Sequence, residues 1–175
     1  GADVADSGVG GSRSAAIILD ARTLRHVATL AGLWEPYTYT KLLVEAGRLY
    51  NNALIDVEMN GPGAGVIQLL KEKYRYPNIA RHDGHEGHRT TQTTKSALVA
   101  QFRDSLDIEE FTTQDVRLPQ QMAHFVVLER KGDYEKVGAR QGAHDDLVMA
   151  AMIANQARAS ALARFESGGV LTQVM

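Results

Sequence analysis

Four carboxylates in three separate segments have the residue type that binds divalent cations. Asp3 lies between apolar residues near the start of the chain, and Glu58 ends an apolar, strand-like segment. Asp145 and Asp146 open a long apolar segment with helical spacing. Hard cations such as Mg²⁺ prefer carboxylate oxygens, and two such ions about 4 Å apart can activate water and stabilise the leaving oxygen of a phosphodiester. The segments therefore predict phosphodiester chemistry if the fold brings them together.

Each carboxylate also has a purely structural interpretation. Aspartate at a helix start is most often a cap, which is the first alternative for Asp145. Glu58 precedes an Asn-Gly-Pro-Gly turn and could be a solvated strand end, and Asp3 could lie on an exposed face. Because adjacent helical residues point about 100° apart, one of Asp145 and Asp146 can face a site while the other does not, and Asp145 is the first choice.

Length and composition are those of one globular domain. The chain has 175 residues, 44% of them hydrophobic and 23% charged, so we expect residues 1–175 to form a single domain with a full core. The absence of cysteine excludes disulfides and thiolate metal sites. With a formal net charge of −2, the chain is not a protein that binds DNA through overall attraction, so any contact with DNA must be local.

Apolar periodicity predicts strands alternating with helices, and therefore an α/β fold with a mixed sheet covered by helices on both faces. Residues 83–93 are predicted to be a loop, and residues 115–125 a helix broken near Pro119. The predicted elements, in order, are a short strand at the start, a hairpin over 15–19 and 24–30, a helix over 37–50, a strand over 53–59, a helix over 64–74, a short strand over 78–81, a helix over 94–106, a hairpin over 126–130 and 134–137, and a long helix over 145–165.

Four short segments occur together in one protein family, in the same order. They are GADVA at 1–5, VEMNGPG at 57–63, GHRTT at 87–91 with a threonine and a lysine following at 94 and 95, and GAHDDLVMAA at 142–151. Together they resemble the nuclease domain of the large terminase subunit, the DNA-packaging motor of tailed phages. The fourth segment is the strongest match.

The resemblance implies an RNase H-like fold and an endonuclease that cleaves concatemeric viral duplex DNA during genome packaging. It also implies two Mg²⁺ or Mn²⁺ ions. By matching position, Asp3 would bridge both ions, Glu58 would bind one, Asp145 the other, and Asp146 would assist. Lys95 matches a family lysine that would contact phosphate or orient water, although an ordinary surface lysine is an equal alternative.

The resemblance further implies partners and a location. The partners would be the terminase ATPase domain, the portal protein and the small terminase subunit, in the host cell cytoplasm, with no membrane and with the isolated domain monomeric. No GxxxxGK[ST] phosphate loop occurs, so we expect the chain to be the C-terminal part of a longer packaging protein whose ATPase domain is absent here. Ser12 stands where the family often has an acidic residue.

Basic residues and histidines near these segments are further candidates. Phosphate contacts are expected from Lys95 and from Arg13, Arg81, Arg89 and Arg140, with solvated surface charges as the alternative. His82, His85 and His88 form an HxxHxxH pattern that suggests zinc. Because the surrounding sequence predicts a polar loop with little to fix it, contact with DNA or a solvated loop is preferred.

Three other functions compete with the leading one. A RuvC-type junction resolvase or another RNase H-like nuclease would share the carboxylates. A sugar-kinase or actin-like ATPase domain also opens with an aspartate and Gly-rich hairpins, but it would need a second phosphate loop and greater length. A non-catalytic DNA-binding module would tolerate the loss of Asp3 and Glu58 without loss of function.

Overall fold

The computed structural model describes residues 1–6, 13–131 and 134–166. Its largest sheet has three antiparallel strands in the order β1 (Ala2–Asp3), β2 (Ser14–Leu19) and β3 (His26–Gly32). The predicted early hairpin is thereby confirmed. The Gly-rich turn between β1 and β2, with Ser12, lies outside the described residues.

A central segment over residues 55–58 extends this sheet through parallel bridges. Val57 pairs with Ala2, while Ile55 pairs with Ile79 and Glu58 with His88 on the other side. The Ala2 N–H donates to the Asp56 carbonyl at 2.8 Å, and the Glu58 N–H donates to the Ala2 carbonyl at 2.8 Å. The prediction of a regular strand over 53–59 is wrong, because the partner of this segment changes from Ile79 to His88 within three residues and leaves only isolated bridges.

Helices cover both faces of the sheet, so the predicted mixed α/β architecture is confirmed. On one face lie α1 (Pro36–Leu49) and α2 (Gly63–Gln68), which continues into a π-helical turn (Leu69–Lys73). On the other face lie α3 (Gln92–Asp107), α4 (Arg117–His124) and α5 (Asp146–Glu166), with α5 against β1 and β2. Within the described part of the chain, no helix is both long enough and apolar enough to cross a membrane.

Strand alternation decides which side chains face α5. Ala2, Val4 and Val57 belong to the core shared with α1 and α2. Because successive strand residues point to opposite faces, Asp3 and Glu58 face the layer that contains α5. The sheet therefore directs two separated carboxylates to the same side.

Two short hairpins complete the fold. The first joins β4 (Arg81–His82) and β5 (His85–Glu86), so the prediction of a loop over 83–93 is wrong in part. The second joins β6 (Phe125–Lys131) and β7 (Tyr134–Ala139), as predicted, with Gly132 and Asp133 outside the described residues. The predicted break near Pro119 is also wrong. Pro119 lies in the first turn of α4, where a helix N–H has no intrahelical partner to lose.

Candidate active site

Asp3 is the centre of an acidic cluster at the end of β1. Its carboxyl is within hydrogen-bonding reach of Glu58, and Asp145 and Asp146 are close enough to act on it electrostatically. Burial raises the pKa of Asp3 well above its usual value, and the hydrogen bond and negative charge of Glu58 raise it further. The fold thus brings together all four carboxylates that the sequence separates.

Asp145 precedes α5, and its carboxylate is directed to β7. Asp145 Oδ2 accepts a hydrogen bond from the Ala139 N–H at 3.3 Å. In the first turn of α5, the Leu147 N–H donates to Gln121 Oε1 of α4 at 2.8 Å. Gln121 therefore satisfies a helix-start amide that a capping aspartate usually satisfies. The sequence gives no signal for Gln121, because its role depends on the docking of α4 against α5.

Asp146 lies beside Asp145 in a more basic environment. His144 Nδ1 lies 3.8 Å from Asp146 Oδ2. Burial raises the pKa of Asp146, His144 and Arg13 oppose this effect, and the negative charge of Asp145 adds to it. Asp146 is thus an acidic side chain of the cluster with Arg13 and the His144 imidazole nearby.

Lys95 is held near the cluster by the start of α3. Thr91 and Thr94 form a capping box, in which each side chain bonds to the backbone N–H of the other residue. The Asn60 side chain donates to the Thr90 carbonyl at 2.7 Å and accepts from the Thr90 N–H at 3.2 Å. The turn after Glu58 is therefore tied to the helix that carries Lys95, whose Nζ lies 3.9 Å from Asp145 Oδ2.

The donor set of the cluster fits hard divalent cations. Four carboxylates from β1, the central segment and the start of α5 lie near one another, and the pKa of Asp3 is raised first by burial and then by the hydrogen bond and negative charge of Glu58. Oxygen-rich sites of this kind suit Mg²⁺ or Mn²⁺. A bound cation would neutralise the repulsion among the carboxylates.

The candidate basic residues are distributed unequally around this cluster. Arg13 lies near Asp146 and lines a cleft of about 470 Å³ beside it. Arg81 lies on β4, and its Nη2 is 3.9 Å from Glu86 Oε1. Arg89 and Arg140 are exposed. Three further members of the cleft were not among the residues predicted from the sequence: Arg117, His124 and His144.

A second group of possible metal ligands lies under α5. Asp56, His82 and His88 each offer a ligand atom, and these atoms lie within 4.8 Å of one another. The HxxHxxH interpretation included the wrong residues, because His85 is exposed and Asp56 was not considered. The preferred solvated-loop interpretation is also wrong for His88, which is buried and pairs with Glu58.

Solved structures with the same fold are known. The large terminase nuclease from thermophilic phage G20c with bound magnesium superposes with a TM-score of 0.74 and 16% sequence identity, over 89% of this chain and 78% of that chain. Another structure of that nuclease gives a TM-score of 0.72 at 15% identity, over 89% of this chain and 79% of that chain. Its form with bound cobalt gives 0.74 at 15%, over 89% of this chain and 78% of that chain. No protein-family model matches the chain, and no curated protein sequence is significantly similar to it.

Proposed function

We propose that this chain, which has the fold of the large terminase nuclease, is itself a metal-dependent endonuclease that cleaves concatemeric viral duplex DNA during genome packaging. The observation that carries the proposal is the convergence of Asp3, Glu58, Asp145 and Asp146 at the end of β1 and the start of α5. A shared fold alone does not define an activity, so the acidic cluster is the decisive support.

The sheet supports the RNase H-like part of the proposal. From one edge to the other, the sheet consists of β3, β2, β1, the central segment, and then Ile79 or His88. The first three strands are antiparallel, and the bridges made by the central segment are parallel. In this arrangement the ends of two adjacent parallel segments, at Asp3 and Glu58, meet at one edge beneath the start of α5. Asp3 and Glu58 are therefore attached to a strand and to the bridged central segment, rather than to long loops.

The proposed cofactors are two Mg²⁺ or Mn²⁺ ions. The G20c nuclease has been crystallised with magnesium and with cobalt, and the carboxylates here provide the oxygen ligands that such ions prefer. Asp3 would bind both ions, Glu58 one and Asp145 the other, with Asp146 assisting. Bound divalent ions supply the charge that activates water and stabilises the leaving oxygen of a phosphodiester.

The protein's own residues have three tasks in this reaction. The carboxylates hold the cations, and Asp3 must release the proton that its raised pKa favours before it can serve as a ligand. Lys95 keeps Asp145 oriented and offers a positive charge to a phosphate oxygen. Arg13, with Arg117 in the same cleft, would hold the DNA backbone through contacts that carry no sequence information.

Cleavage of supercoiled plasmid tests the proposal. The purified chain is incubated with Mn²⁺, with Mg²⁺ or with chelator, beside Asp3→Asn, Asp145→Asn and the control Asp104→Asn, which changes an exposed carboxylate on α3. We expect nicking or linearisation that requires metal, survives in the control and is lost in the other two variants. Cutting that persists in both site variants, or a wild-type chain that neither cuts nor binds Mn²⁺, would refute the proposal.

A choice of substrates separates the two nuclease hypotheses. Linear duplex is compared with a four-way junction of the same sequence under the metal conditions that support cutting. A terminase-type nuclease is expected to cut both, whereas a RuvC-type resolvase would cut the junction selectively. The proposal also implies the ATPase domain, portal protein and small terminase subunit as partners in the host cytoplasm, and pull-down of each purified partner with this chain tests that part.

A further inference from the structure

Two buried polar atoms beneath α5 lack the partners that buried atoms usually have. Asp56 is 0% exposed and His88 is 3% exposed. Among the described residues, neither Asp56 Oδ1 nor His88 Nε2 has a hydrogen-bond partner. An unsatisfied polar group in the interior is costly, and a buried charge more so. A cation between these groups would satisfy both.

A third residue completes a compact ligand set. His82 Nε2 lies 2.7 Å from Asp56 Oδ2. The imidazoles of His82 and His88 have centroids 5.4 Å apart and planes at 86° to each other, so the edge of one ring faces the other ring. Ligand atoms of the three residues lie within 4.8 Å of one another. Bonds of about 2.0–2.1 Å in a tetrahedral zinc site separate ligand atoms by roughly 3.3 Å, so small side-chain movements suffice.

We propose that Asp56, His82 and His88 form a binding site for Zn²⁺ or a similar divalent transition-metal ion, and that this site is separate from the four carboxylates of the acidic cluster. Two imidazole nitrogens and one carboxylate oxygen suit Zn²⁺, whereas Mg²⁺ prefers oxygen ligands alone. The Gln156 side chain of α5 interacts with the His88 imidazole, but the geometry leaves its buried Oε1 without a well-formed hydrogen bond among the described residues. That oxygen would accept a hydrogen bond from a water ligand in the fourth position.

The backbone around His88 is built to bring the site together. Gly87 has a φ of +80°, and a Cβ there would lie 2.6 Å from the Val57 carbonyl oxygen. A residue without a side chain therefore lets His88 approach the central segment, where its N–H donates to that carbonyl at 2.7 Å. The ion would join β4 to the central segment.

The site has a defined place relative to the acidic cluster. Asp56 and Glu58 are two residues apart on one face of the central segment, about 7 Å along the chain. His88 pairs with Glu58 through the backbone. The proposed ion would thus steady the backbone that carries one of the acidic ligands without sharing a carboxylate with the acidic cluster.

Zinc retention under excess Mg²⁺ tests the inference, because Mg²⁺ occupies oxygen sites and competes poorly for imidazole. The chain is loaded with Zn²⁺, dialysed against metal-free buffer containing Mg²⁺, and analysed for elemental zinc per chain. Wild type, Asp145→Asn and the matched control His85→Gln are expected to retain one zinc each. His82→Gln, a change at a partly exposed position, is expected to weaken zinc binding by on the order of a hundredfold.

Two readouts besides retention keep the test decisive. Co²⁺ added to the wild type in excess Mg²⁺ should give the visible absorption of a tetrahedral site with nitrogen ligands, and Zn²⁺ should raise the thermal unfolding temperature of wild type and His85→Gln. The inference is overturned if wild type retains no zinc and gives no such cobalt spectrum. It is equally overturned if folded His82→Gln retains as much zinc as wild type, or if Asp145→Asn loses it.

Discussion

The Lys95 ammonium lies 3.9 Å from Asp145 Oδ2 and links the first turn of α3 to the start of α5. The two groups meet beside Gly138 of β7, where an added Cβ would lie 3.6 Å from Asp145 Oδ2 and 3.9 Å from Lys95 Nζ. Their side chains are only 20% and 28% exposed, so water screens the attraction less than at an open surface. A carboxylate of the proposed metal site is therefore oriented by a cation from another helix.

Replacing Lys95 by methionine should lower the rate of plasmid nicking by on the order of a hundredfold, which is typical for the loss of an oriented electrostatic group. Lys95→Arg should recover part of the rate, because the positive charge remains. Lys41→Met, on the exposed face of α1, serves as the control. If only the metal concentration for half-maximal rate increases, Lys95 orients Asp145; if the rate at saturating metal falls, it also contacts the phosphate. An unchanged rate and metal requirement would show an ordinary surface lysine.

Asp3→Asn should stabilise the metal-free domain while abolishing its cleavage. The pKa of Asp3 is raised in the folded state, so the folded protein binds more protons than the unfolded chain. Stability is therefore highest below the ordinary aspartate pKa of about 3.9 and falls as the pH rises through the raised value.

Thermal unfolding in chelator from about pH 4 to pH 8 measures this effect. The wild type should lose stability across part of this range, and Asp3→Asn should lose less. Added Mn²⁺ should stabilise the wild type but not the variant. A variant less stable than wild type at neutral pH in chelator would contradict the raised pKa that burial and the neighbouring carboxylates give Asp3.

Asp115 should show the opposite dependence on pH. Hydrogen bonds from Arg117, with one from Thr29 at 2.7 Å, hold the pKa of Asp115 well below its usual value. Stability from this group is present above pH about 3.9 and is lost as the pH falls below it. Asp115→Asn should lower the free energy of unfolding by about 1–2 kcal/mol at neutral pH. Urea unfolding at neutral and acidic pH measures it, and equal losses at both would argue against a charge effect.

Two glycines of α2 should respond oppositely to alanine. A Cβ at Gly63 would lie 1.7 Å from the Glu58 carbonyl oxygen, whereas a Cβ at Gly65 would meet no atom within 4 Å among the described residues. Gly63→Ala should cost about 1–3 kcal/mol or more, because backbone must move. Gly65→Ala should stabilise the helix by about 0.5–1 kcal/mol. Urea unfolding of both variants compares them directly, and equal effects would refute the close approach of α2 to Glu58.

The sequence predicted the acidic cluster because each of its members stands beside a strong local pattern. Asp3 lies in an apolar segment that forms a strand, and Asp145 precedes a long apolar helix, so these two elements could be assigned from periodicity. The apolar segment that ends at Glu58 was assigned to a regular strand, whereas it makes only isolated bridges. The family resemblance then suggested that these elements meet, and the structure brings them together. Their roles as metal ligands remain predictions that the proposed variants test.

Features that depend on pairing between distant segments could not be predicted. The burial of His88 requires Gly87 to approach Val57 across the sheet, and its polar local sequence instead favoured a loop. Gln121 satisfies the start of α5 only because α4 docks beside it. The π-helical turn after α2 likewise has no signature in the apolar spacing, which is that of an ordinary helix.

The docking of α5 against β1 has a consequence for the order of synthesis. Asp3 emerges from the ribosome before Asp145 and Asp146, which emerge only with the last helix described here. Before that helix is made and packs back onto β1, a nascent chain lacks two of the four carboxylates of the acidic cluster. A truncated product that ends before α5 would therefore be harmless to the genome that the finished chain is proposed to cut.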